Sequence, residues 1–69
     1  MKISARNVLQ GKVKQVKFGA VNAEVIVKAD NGTDIVSIIT KESAENLGLA
    51  KGKKVYAVIK ASSVMIMTD

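Results

Sequence analysis

Between Asn22 and Ile39 the chain spells out a hairpin. Ala23, Val25, Val27 and Ala29 share one side of a period-two pattern, and Asn22, Glu24 and Lys28 take the other. Asp30-Asn31-Gly32 then breaks the alternation, and Asn-Gly is the strongest short hairpin signal a sequence carries. Thr33 to Ile39, rich in β-branched residues, makes the return strand. One residue violates the pattern: Ile26 is apolar on the polar side, which marks it as a candidate for contact with another subunit.

The flanking segments extend this β-rich plan. Leu9, Gly11 and Val13 alternate with Gln10, Lys12 and Lys14, after which Val16 and Phe18 resume one residue late. A phase slip of that kind inside one strand predicts a bulge around Lys14-Gln15, with Gly11 suited to a tight bend and the strand ending near Gly19. The single helix candidate is Lys41 to Leu47. Thr40 is its N-cap, Glu42 lies in its first turn, Ala44 and Leu47 form a short apolar face, and Gly48 ends it before Leu49. Lys51-Gly52-Lys53 turns into a strand from Lys54 to Ile59, and Val64 to Met67 reads as a last strand. Three strands, a short helix and two strands give an all-β class with one helix, in the order of a five-stranded OB-type Greek-key barrel spanning residues 1–69 as a single domain.

Composition narrows the chemistry. With 69 residues the chain is near the lower size limit for folding on its own core, and it has no cysteine and no histidine. Disulfides, thiolate or imidazole metal sites, cysteine nucleophiles and histidine-based triads are therefore excluded. The 48% hydrophobic content of so small a chain predicts burial against copies of itself, a homo-oligomer. A net charge of +5 predicts an anionic partner. The scattered lysines and only two aromatics, Phe18 and Tyr56, favour a small anion over nucleic acid, whose single-strand binders use several rings as stacking platforms. The alternative, an OB-type nucleic-acid-binding protein, would use the same positive charge. No apolar run reaches membrane-spanning length, and the opening Met-Lys runs straight into mixed sequence, so a cytoplasmic protein without membrane partners is expected.

Three segments supply donors for an anion. In Ser4-Ala5-Arg6-Asn7, Ser4 and Arg6 share a face if the stretch is extended. In Thr40-Lys41-Glu42-Ser43, two hydroxyls meet free N–H groups at a helix start. In Lys60-Ala61-Ser62-Ser63, an ammonium, hydroxyls and uncrowded N–H groups interrupt two apolar stretches. Each also has a plain reading: Thr40 as an N-cap, Ser43 as a capping or solvated residue, Arg6 as a surface charge, Asn7 as a turn cap, and the lysine–serine stretch as a hairpin turn. Together they offer a tetrahedral dianion two positive charges and many directional donors, with no general base, nucleophile or metal-ligand set that would argue for an enzyme.

Ser4-Ala5-Arg6-Asn7, Gly11 and Val13, Gly19 to Val25, Ile39-Thr40, Ser43-Ala44, Leu47-Gly48-Leu49, Gly52 and Lys60-Ala61-Ser62-Ser63-Val64 resemble, in order and over essentially the whole chain, the molbindin (Mop) family. The resemblance implies an OB-type barrel assembled as a hexamer, a trimer of dimers. Molybdate or tungstate would bind between subunits as an intact oxyanion, with no organic cofactor and no direct protein–metal ligand, for storage or buffering. By motif, Ser4, Arg6, Lys60, Ala61 and Ser62 would come from one subunit and Thr40 and Ser43 from its neighbour. Some family sites use a serine directly after the lysine. Here that residue is Ala61, which offers only its N–H, so the hydroxyl falls to Ser62. A second class of anion site near the three-fold axis is carried over, more weakly, onto backbone N–H groups of Gly19, Ala20, Val21 and Asn22.

Overall fold

A computed structural model describes residues 3–69. Four strands form one curled antiparallel sheet: β1 (Asn7–Phe18), β2 (Asn22–Ala29), β3 (Asp34–Thr40) and β4 (Lys54–Ile59), in the order β3-β2-β1-β4. A short helix, α1 (Lys41–Asn46), links β3 to β4, and a turn of 3₁₀ helix at Ala61–Ser63 follows β4.

β1 is shared between two neighbours. Its first half pairs with β4, from Asn7↔Ile59 to Lys12↔Lys54, and its second half pairs with β2, from Gly11↔Ala29 to Phe18↔Ala23. The expected slip is present: Val13 faces Val27 but Gln15 faces Ile26, so Lys14 is the extra residue of a bulge. Gly11 is paired on both sides, to Ala29 and to Val55. A Cβ there would drive into the Lys28 carbonyl and the Ala29 Cα, so only glycine allows the approach.

The hairpin turn is made as its residues dictate. Gly32 takes φ +93°, Asn31 Oδ1 accepts from the Thr33 N–H at 3.0 Å, and the Gly32 N–H closes onto the Ala29 carbonyl at 2.8 Å. The alternation of β2 puts Ala23, Val25, Val27 and Ala29 inside, and Val25 and Val27 form the core with Val13. Val16, Ile39, Leu49 and Val55 pack against it. Ile26 lies half-buried on the outer face opposite Val36.

Two expectations differ from what is observed. Leu47 does not share the buried face of α1. It is the helix C-cap and is exposed, while Ala44 is fully buried. Gly48, at φ +63°, reverses the chain so that the Leu49 N–H donates to the Ala44 carbonyl, and Leu49 reaches the core instead. The second difference is larger: the strand expected at Val64–Met67 does not form, so among the described residues the sheet has four strands, not five. Hydrogen bonds from Ser63 N–H to Lys60 O (2.9 Å) and from Val64 N–H to Ala61 O (3.2 Å) wind the chain through a 3₁₀ turn rather than a two-residue hairpin. The tail therefore does not fold back on β4. Met65, Ile66 and Met67 are left 93%, 86% and 93% exposed.

Gly11→Ala tests the close approach at the centre of the sheet. Forcing a methyl group against backbone should cost about 1–3 kcal/mol, read as a lower midpoint in urea unfolding. An unchanged midpoint would mean that β1 and β2 have room to separate.

Candidate functional site

The pairing of Asn7 with Ile59 decides where the donors meet. It holds the segment entering β1 beside the segment leaving β4, and the two line a shallow recess of about 380 Å³ formed by Ile3, Ser4, Ala5, Arg6, Lys60, Ala61 and Ser62. Two cations and two hydroxyl side chains thus face one solvent-open space. Lys60, in extended backbone (φ −61°, ψ 129°), is the N-cap of the 3₁₀ turn. Its carbonyl accepts from Ser63, which leaves the Ala61 and Ser62 N–H groups at the start of the turn without an acceptor inside it. The charge and the donors suit an anion held by charge-assisted hydrogen bonds.

Thr40 and Ser43 do not line that recess. Thr40 caps α1, its Oγ1 accepting from the Ser43 N–H at 3.0 Å and donating to Ser43 Oγ at 2.7 Å. One hydroxyl proton is used between the two oxygens, and the other is free to donate outward. Thr40 also pairs with Asn22, and the Lys41 N–H donates to the Val21 carbonyl at 2.7 Å. Thr40 and Ser43 therefore share one end of the sheet with the Gly19–Asn22 loop. Within that loop the Gly19 N–H is taken by the Asn22 carbonyl at 2.8 Å.

The structure thus sorts the expected site residues into two groups. Ser4, Arg6, Lys60, Ala61 and Ser62 come together, and Thr40 and Ser43 join Gly19, Ala20, Val21 and Asn22. Ile3 and Ala5 also line the recess; their alternation with Ser4 and Arg6 along the entering segment was the available signal. Sequence reasoning also missed an apolar groove of about 510 Å³ between β3 and β4, floored by Val25, Val27, Ile39, Leu49 and Val55, with Lys60 and Ser63 at its rim. The electrostatics elsewhere are mild. Lys14 Nζ lies 2.7 Å from Asp34 Oδ2 and its hydrogen bond holds that exposed carboxyl below the usual range. The pair's small stabilisation is present above the unfolded-state pKa and fades as pH falls through the lowered one.

Comparison with known proteins decides the family. Residues 3–66 match the model of the TOBE domain. The chain is 49% identical over 67 residues to the molybdenum-pterin-binding protein 3 of Clostridium pasteurianum, covering 97% of this chain and 98% of that one. The chain belongs to the molbindin family of TOBE domains. The structure of the molbindin MopII from Clostridium pasteurianum superposes with a TM-score of 0.92 at 46% identity, covering 97% of this chain and all of the other. The cytoplasmic molybdate-binding protein ModG, with molybdate bound, gives a TM-score of 0.90 at 51% identity over 94% of this chain and 46% of ModG. This molbindin chain therefore spans the whole length of the small family members and between a quarter and a half of longer ones. The curled antiparallel sheet with one short helix is the fold of that family.

Thr40→Ala removes the cap acceptor for the Ser43 N–H and should cost about 0.5–2 kcal/mol of stability, whereas Thr40→Ser should retain most of it. Thermal unfolding of the two variants separates them; equal melting would show that the cap contributes nothing.

Proposed function

We propose that the chain binds molybdate or tungstate as an intact oxyanion, at sites completed between subunits of a homo-oligomer, and stores or buffers it in the cytoplasm. The observation that carries this reading is the recess where Arg6 and Lys60 converge with Ser4, Ser62 and the start of the 3₁₀ turn. That set balances a tetrahedral dianion with two positive charges and directional donors. ModG, described as a cytoplasmic molybdate-binding protein, supports the choice of anion and compartment.

Assembly is supported by what one chain leaves undone. Its accessible surface is 5558 Å² at 7.3 kDa, well above the roughly 4,200 Å² that surface scaling gives a compact monomer of that mass. The excess, roughly 1,400 Å², is of the order that one subunit loses in an obligate interface. The apolar groove, the free edges of β3 and β4 and the exposed Val64–Met67 tail complement one another. A tail from a second copy, added as a fifth strand, would close the OB-type barrel in both chains. In this reading Thr40 and Ser43 of one subunit complete the Arg6–Lys60 recess of another in a trimer of dimers. The loop Gly19–Asn22, through the N–H groups of Ala20 and Val21, is the candidate for a second anion site.

Native mass spectrometry with and without molybdate reads subunit number and anion stoichiometry together, and a lone 7.3 kDa species under native conditions would sink the shared-site reading. Arg6→Ala or Lys60→Ala should weaken molybdate binding by about ten- to a hundredfold, the loss of one charge-assisted partner worth about 1.5–3 kcal/mol. Lys51→Ala, in a turn away from the recess, should change it little, and equal losses at all three positions would point to diffuse charge attraction. Oligomers co-assembled from Ser43→Ala and Arg6→Ala chains should recover some binding, because some sites then draw both residues from unmutated chains. Mixed oligomers that bind no better than either parent would place both segments in a site within one chain.

A further inference from the structure

Three lysines stand side by side on the outer face of the sheet. Lys28 of β2 is paired with Lys12 of β1, and Lys12 is paired on its other side with Lys54 of β4. All three are exposed, and the row lies outside both the donor recess and the apolar groove. Asp34 ends the row opposite Lys28, but its carboxylate is bonded to Lys14. Like charges directly opposite one another on adjacent strands destabilise a sheet. Lys28 is partly compensated by its attraction to the Asp34 carboxylate, but the Lys12–Lys28 and Lys12–Lys54 pairs remain like-charge contacts that an anionic partner would relieve.

The geometry constrains the partner. Neighbouring strands lie about 4.8 Å apart, so the row spans roughly 10 Å and is held by backbone register rather than by a flexible loop. Apolar residues flank it on both sides: Tyr56 and Val58 beyond Lys54, and Ile26, Val36 and Ile38 beyond Lys28. An open face without a recess buries little of a small ligand and suits an extended chain. Single-stranded nucleic acid would find one ring there, Tyr56, where stacking needs several. An extended peptide presents same-side carboxylates roughly 6.6–6.8 Å apart, and the four-carbon lysine stems absorb the mismatch with the strand spacing. We infer that the Lys12–Lys28–Lys54 row is a docking surface for an extended, carboxylate-rich segment of a partner protein. The surface is separate from the Arg6–Lys60 recess, and its existence does not depend on which anion that recess holds.

The test uses the assembled protein and a fluorescein-labelled hexaglutamate peptide, with twelve-residue oligothymidylate as the competing probe. In fluorescence anisotropy, Lys12→Gln/Lys54→Gln should weaken hexaglutamate binding about fivefold, or about 1 kcal/mol. The charge-matched Lys17→Gln/Lys51→Gln should leave it nearly unchanged. Neither double variant should alter molybdate affinity, so a failure here is distinguishable from a failure of the oxyanion reading. Lys12→Gln/Lys54→Gln should also melt higher than the parent at low salt, with the gap closing at high salt as screening removes the repulsion. Four outcomes overturn the inference: no hexaglutamate binding by the parent protein, equal losses in both double variants, tighter binding of oligothymidylate on the same lysines, or dissociation of the oligomer in Lys12→Gln/Lys54→Gln, which would make the row a subunit contact.

Discussion

The double pairing of β1 organises everything else in the molecule. One strand serves two neighbours, β4 along its first half and β2 along its second, and the two ladders overlap at Gly11 and Lys12. Such sharing requires the strand to bend. Gly11 permits the close approach to β2, and the extra residue Lys14 turns the inward phase from Val13 to Val16. The same bend positions the donors. Where β1 begins, its ladder with β4 gathers Ser4–Arg6 and Lys60–Ser62; where β1 ends, the turn into β2 lies beside Thr40 and α1.

A four-stranded curl leaves its energetics incomplete. The fully enclosed side chains are small, with Val13 the largest of them, and the core rests on a few valines plus Ile39 and Leu49. Meanwhile a four-residue apolar tail lies in solvent and, among the described residues, two sheet edges remain unpaired. Exposed edges and apolar patches of this extent are costly for a chain that remains alone. Binding and association are thus linked in the proposed function: the contacts that would finish the barrel are those that would bring a neighbour's Thr40 and Ser43 towards Arg6 and Lys60.

Positive charge is distributed in distinct settings rather than spread evenly. Arg6 and Lys60 face a recess with hydroxyls and N–H groups, where directional bonds can fix a small oxyanion. Lys12, Lys28 and Lys54 form an open row with no such donors between them, suited to a longer partner. Lys14 is matched locally by Asp34, and the Lys53 ammonium donates to the Leu47 carbonyl at the end of α1. The net charge of +5 is therefore a sum over different surroundings, and only the fold separates them.

Local patterns in the sequence determined a good part of this structure by themselves. The alternation of Ala23, Val25, Val27 and Ala29, the Asn31-Gly32 turn, the phase slip before Val16 and the Thr40 cap each report a constraint confined to a few neighbouring residues. All of them are observed. The family was equally legible, because its motifs are contiguous. Tertiary structure decided the matters that depend on residues far apart in the chain. Leu47 and Leu49 are both leucines near a helix end, and only the reversal at Gly48 selects Leu49 for the core. Val64 to Met67 has the composition of a strand, yet a strand exists only where another offers hydrogen bonds, and the 3₁₀ turn carries this one away from its own sheet. The division of the donors into two groups and the alignment of three lysines are properties of register. Pairing partners set register, and no stretch of one strand read alone contains them.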